Sequence, residues 1–107
     1  MKKRKFTQAE SRHNKLLEEI VRELHATGDY GKIRTYVEYN IDGINGEVDI
    51  LADYLPDNTY HFYEVKCTLN DKSIAKAQRQ YNRYKSVHPN KRLEGRVVAY
   101  NGSSVLK

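Results

Sequence analysis

With 107 residues and a net charge of +5, the chain has room for one domain with a modest core and not for two. The basic balance favours a polyanionic partner, nucleic acid foremost, with an anionic membrane surface as the other fit. No run approaches the roughly 18 to 20 apolar residues of a membrane span, the basic start has no apolar run behind it and is not a secretory signal, and the single cysteine, Cys67, excludes an internal disulfide and suits a reducing cytoplasm.

Residues 1–6 hold Lys2, Lys3, Arg4 and Lys5, a basic arm that is expected to be flexible and either grips a phosphate backbone or only aids solubility. Thr7-Gln8-Ala9-Glu10 fits a capping box. Leu16, Leu17, Ile20, Val21 and Leu24 follow at helical spacing, and Gly28 is a natural terminator. Extending that apolar stripe toward the amino terminus places Glu10 and His13 on the same face. Each is either a satisfied residue at the rim of the core or a member of a site there.

Arg34 to Asn40 alternates weakly and is expected to be a first strand. The dipeptides Asp42-Gly43 and Asn45-Gly46 read as turns. Two apolar runs come next, Gly46 to Ala52 and Tyr60 to Lys66, separated by Pro56-Asp57-Asn58. Val, Ile, Phe and Tyr between turn residues predict two strands of a hairpin. Thr68 to Asp71 predicts the cap of a second helix over about 72–86, which Pro89 ends. Arg96 to Tyr100 reads as a last strand, closed by Asn101-Gly102. The expected order is helix, three strands, helix, strand.

On the second helix, Ile74, Ala77, Tyr81 and Tyr84 fall on one stripe at about 100° per residue. Lys72, Lys76, Arg79 and Arg83 gather on the far side with no acid among them. That ridge is either a solvated face or a track for phosphates. Gln80 lies on the shoulder next to Tyr84.

The hairpin carries the chemistry. Asp49, Glu64 and Lys66 sit in strands that otherwise want apolar side chains, and buried charges are costly unless paired. A divalent cation is the obvious partner: Mg²⁺ or Mn²⁺ takes hard oxygens and keeps several waters. Asp49 and Glu64 supply two carboxylates, and the backbone carbonyl of Val65 a third oxygen. Side-chain alternation puts Glu64 and Lys66 on one face, where the lysine can orient a water or neutralise charge building on phosphorus. Glu10 is a candidate further ligand, and Glu47 and His13 are secondary candidates. For Lys66 alone, the alternative is a lysine guarding a sheet edge.

Val48-Asp49 followed by Glu64-Val65-Lys66 resembles the bipartite motif of the PD-(D/E)XK nuclease superfamily, with Val48 in place of the proline. Gln80-Tyr81-Asn82-Arg83-Tyr84 resembles the glutamine and tyrosine often found on its next helix. The resemblance spans about 10–100 and is closest to small archaeal and viral Holliday-junction resolvases. It implies an α/β fold with a restriction-endonuclease-like αβββαβ core, a mixed central sheet flanked by helices, in a single nuclease-like domain over 1–107. It further implies a Mg²⁺-dependent DNA endonuclease acting in recombination, with Asp49, Glu64, Lys66, Glu10 and Gln80 as catalytic residues, and with Glu18 and Glu19 as competitors for the place of Glu10. A resolvase would work as a two-fold dimer, and exposed tyrosines or an edge strand at Arg96 to Tyr100 are the candidate contacts. The alternatives are a nucleic-acid-binding module without catalysis, or an accessory subunit of a nuclease or replication complex.

Overall fold

The computed structural model describes residues 7–107, so the basic arm of Lys2 to Lys5 lies outside the described residues. The elements in order are α1 (Gln8–Thr27), β1 (Tyr30–Ile41), β2 (Ile44–Tyr54), β3 (Thr59–Val65), α2 (Asp71–Val87), β4 (Leu93–Ala99) and β5 (Gly102–Leu106). They form an α/β fold with one mixed five-stranded sheet in the order β1-β2-β3-β4-β5. Only β3 and β4, joined through α2, run parallel; the other neighbours are antiparallel.

The helix ends follow local chemistry. The Thr7 hydroxyl accepts the Glu10 amide at 3.1 Å and donates to the Glu10 carboxylate at 3.2 Å, while Gly28 closes α1 at φ 73, a left-handed conformation that glycine takes at no steric cost. Asn70 and Ser73 cap α2 reciprocally. α1 packs Leu16, Leu17, Ile20 and Leu24 against Ile50, Ala52, Tyr63 and Val65 on one side of the sheet. On the other side α2 packs Ala77, Tyr81 and Tyr84 against Val48, Leu51, Phe62, Val97 and Leu106. With both faces covered, β3 is buried without a break from His61 to Val65.

Three expectations change. The first strand begins at Tyr30 rather than Arg34, because backbone pairing with β2 runs from Tyr30↔Tyr54 to Ile41↔Ile44 regardless of the polar side chains. Asn45-Gly46 lies inside β2, and Asp42-Gly43 alone makes the hairpin turn, with φ 51 and 80. Gly46 is needed there for space, since a Cβ would collide with the Tyr39 ring. Finally, Asn101-Gly102 opens a further strand, so β4 is internal and the expected edge at Arg96 to Tyr100 is covered by β5.

Candidate functional site

The β2–β3 ladder pairs residues from Tyr54↔Thr59 to Ile50↔Tyr63 and goes no further. Beyond that point β3 stays with β4, as the Lys66 amide donates to the Val98 carbonyl at 2.8 Å. The strands therefore fork, and Asp49 fills the fork. Its Oδ2 accepts the Val65 backbone amide at 2.7 Å, a bond that replaces the missing rung.

The side-chain alternation also slips here. Val48 packs on the α2 side and Ile50 on the α1 side, although residues two apart in a regular strand share a face. β1 slips at the same level: Ile33 packs on the α1 side, while Val37 and Tyr39 pack on the α2 side. Between them Tyr36 has φ 53. It stands across from Asp49, between the pairs Thr35↔Ile50 and Val37↔Val48.

Glu64 is 2% exposed, and its Oε1 is buried without a hydrogen-bond partner. Burial first, and the charge of Asp49 second, push its carboxyl up to about 9, while Lys66 pulls the other way. Two neighbouring carboxylates buried together cannot both ionise at low cost. Lys66 Nζ lies 3.9 Å from Glu64 Oε2 and donates to Gln80 Oε1 at 3.3 Å. The structure thus gathers Asp49, Glu64, Lys66 and Gln80. It adds His13, whose Nε2 is 3.4 Å from Asp49 Oδ2. The hydrogen bond to Asp49 is the largest influence holding that ring protonated above its ordinary range, with burial opposing it and the Val65 carbonyl adding to it.

The orphaned Glu64 oxygen and the neighbouring Asp49 carboxylate are hard oxygen donors of the kind that Mg²⁺ or Mn²⁺ takes. Among the described residues no three His, Cys, Asp or Glu side chains gather at metal-ligand spacing. An ion that retains its waters is held by one or two carboxylates. Glu10 engages Thr7 in the α1 cap. Glu18 lines a cleft beside Tyr36, and Glu19 a smaller one further along α1. Glu47 is exposed, its carboxyl raised by desolvation and then by Asp49. Tyr84 is a core residue, 3% exposed and edge-on to Tyr39.

Lys72, Lys76 and Arg79 are exposed on α2, and Arg83 is half-buried. Its charge lies close enough to the Tyr39 phenol to oppose the upward push of burial there. Arg83 therefore sits beside Tyr39, and the outward ridge is Lys72, Lys76 and Arg79. Tyr36 and Tyr39 carried no sequence signal as site residues, because tyrosine in a strand is ordinary. Gly46, in the same strand as Asp49, was the single hint of a ring crossing the backbone. None of the protein-family models, curated proteins or solved structures compared with this chain matches it.

Proposed function

We propose that this chain is a metal-dependent endodeoxyribonuclease of the PD-(D/E)XK type on a restriction-endonuclease-like core, hydrolysing phosphodiester bonds in branched or duplex DNA. The observation that carries this reading is Glu64: a 2%-exposed carboxyl with one orphaned oxygen, beside Asp49, with a lysine at 3.9 Å. A purely structural strand gains little from such a group, because an unpaired buried carboxyl is costly. Asp49, Glu64 and the Val65 carbonyl would hold Mg²⁺ or Mn²⁺, which supplies Lewis-acid polarisation of the phosphate and lowers the pKa of a water.

The protein groups then have distinct tasks. Lys66, steadied by Gln80, places a positive charge where negative charge builds on phosphorus. Asp49 is held in line by the Val65 amide. The ridge of Lys72, Lys76 and Arg79 tracks the DNA backbone by displacing counterions rather than by reading bases, which suits recognition by shape. Cutting two strands symmetrically would call for a homodimer.

The test is incubation of purified protein with four-way, flapped, linear duplex and single-stranded DNA in Mg²⁺. Cutting is expected on at least one, abolished by EDTA. It should fall at least about a hundredfold in Asp49→Asn, Glu64→Gln and Lys66→Ala, with DNA binding retained. Cutting that survives Asp49→Asn and Glu64→Gln would overturn the assignment.

A further inference from the structure

Tyr36 adopts a backbone conformation that strands disfavour. At φ 53 a bulky residue is a genuine outlier, and such strain persists only where the surroundings determine it. The surroundings here are specific. The Tyr36 hydroxyl donates to Asn14 Oδ1 at 2.5 Å, one residue along α1 from the His13 that meets Asp49. Two parallel ties therefore join α1 to the sheet at the level of the site. The residue remains 40% exposed and forms a wall of a cleft of about 630 Å³ with Leu17, Val21, Glu18 and Arg22.

The chemistry of this cleft selects its occupant. Its lining joins the aromatic ring of Tyr36 and the apolar side chains of Leu17 and Val21 to the polar groups of Asn14, Glu18 and Arg22. Glu18 and Arg22 offset one another in charge, so the cleft lacks the concentrated positive charge of a phosphate track. A neutral heteroaromatic ring has the complementary properties: a π-face for Tyr36 and polar edges for Asn14, Glu18 and Arg22.

We infer that this cleft receives an unpaired nucleobase next to the phosphate engaged at Asp49 and Glu64, stacked on the ring of Tyr36. The inference rests on the nuclease reading for the identity of the ligand as DNA. It makes the protein selective for sites where a base is already unstacked, because unstacking one from an intact duplex adds to the cost of binding.

Binding is measured in EDTA, where nothing is cut, with a duplex carrying one unpaired 2-aminopurine and the same duplex fully paired. The probes are wild type, Tyr36→Phe, Tyr36→Gly and Tyr36→Asn. Gly and Asn accept the left-handed backbone while removing the ring, and Phe keeps the ring. Wild type and Tyr36→Phe should quench 2-aminopurine and prefer the unpaired site. Tyr36→Gly and Tyr36→Asn should lose the quench and bind that site about fivefold to a hundredfold more weakly, in line with the loss of one aromatic stack, with paired-duplex affinity unchanged. Retained quench and preference in both ring-less variants would overturn the inference, as would a wild type indifferent to the unpaired base. Quench that depends on Tyr36 in a protein that cuts nothing in Mg²⁺ would uphold the cleft and overturn the nuclease assignment alone.

Discussion

Asp49 combines two jobs that substitution can separate. It replaces a backbone rung by accepting the Val65 amide at 2.7 Å, and it presents a carboxylate beside Glu64. Asp49→Asn keeps an acceptor for that amide, whereas Asp49→Ala leaves a buried N–H unsatisfied. The alanine variant should therefore be less stable than the asparagine variant by about 1–3 kcal/mol in urea unfolding, with both equally inactive. Glu64 makes a prediction about pH. Its folded pKa is raised, to about 9, so the folded metal-free protein holds a proton that the unfolded chain releases near its ordinary value. The associated stability is complete below that ordinary value and is lost as pH rises toward 9. Melting temperature without metal should fall from about pH 7 to about pH 9, and Mg²⁺ should restore it with release of protons. Glu64→Gln should flatten the fall but not remove it, since His13 is also raised and contributes in the same direction. A Glu64→Gln protein as pH-sensitive as wild type would show that the carboxyl is not held protonated.

The elements were legible to different depths. Both helices announce themselves through apolar spacing and caps, because helix formation depends on residues three and four apart. β2 and β3 were visible as apolar runs because they are central and covered on both faces. β5 was not: Gly102-Ser103-Ser104-Val105-Leu106 has little strand character of its own, and it forms by pairing with β4. That pairing depends on Gly95, where an added Cβ would lie 2.8 Å from the Tyr81 ring and 3.0 Å from Leu106. Tyr81 is 3% exposed and bonded to the Leu93 carbonyl, so it has little room to give. Gly95→Ala should cost about 1–3 kcal/mol by overpacking, read as a lower urea midpoint at unchanged slope. Asp49, Glu64 and Lys66 were legible as charges in the wrong company, and Gln80 as a residue on the shoulder of the buried stripe of α2. The slip of alternation at Tyr36 and Asp49 was not, because it is a property of two paired strands and no single strand encodes it.

For the molecule as a whole, charge and edges decide what partners meet. Lys76→Glu with Arg79→Glu should weaken DNA binding and make it less sensitive to salt, because fewer phosphates are neutralised and fewer counterions released. Titration across a salt series measures both effects. Affinity unchanged by that pair would reduce the ridge to a solvated face. Arg83 is a poor choice for this experiment, since its charge also reaches Tyr39. β1 and β5 are the sheet edges, and β5 exposes Val105 at 58%. If the protein pairs with a second copy through the sheet, Val105→Lys should shift its mass in solution toward the monomer while leaving β1 untouched.

No helix among the described residues is long and apolar enough to cross a membrane, in keeping with a basic chain that lacks any long apolar run. By itself the sequence determined two amphipathic helices, the central strands, and a set of ionisable groups that apolar strands would not carry without reason. Local spacing encodes all of these. Only the tertiary structure decided that β2 and β3 part at Ile50↔Tyr63, that Asp49 bridges the gap, that His13 meets it from α1, and that a strained Tyr36 stands opposite. Those relations join residues far apart in the chain. They are set by which backbone groups find partners and which side chains find room, and neither is written in the order of the residues.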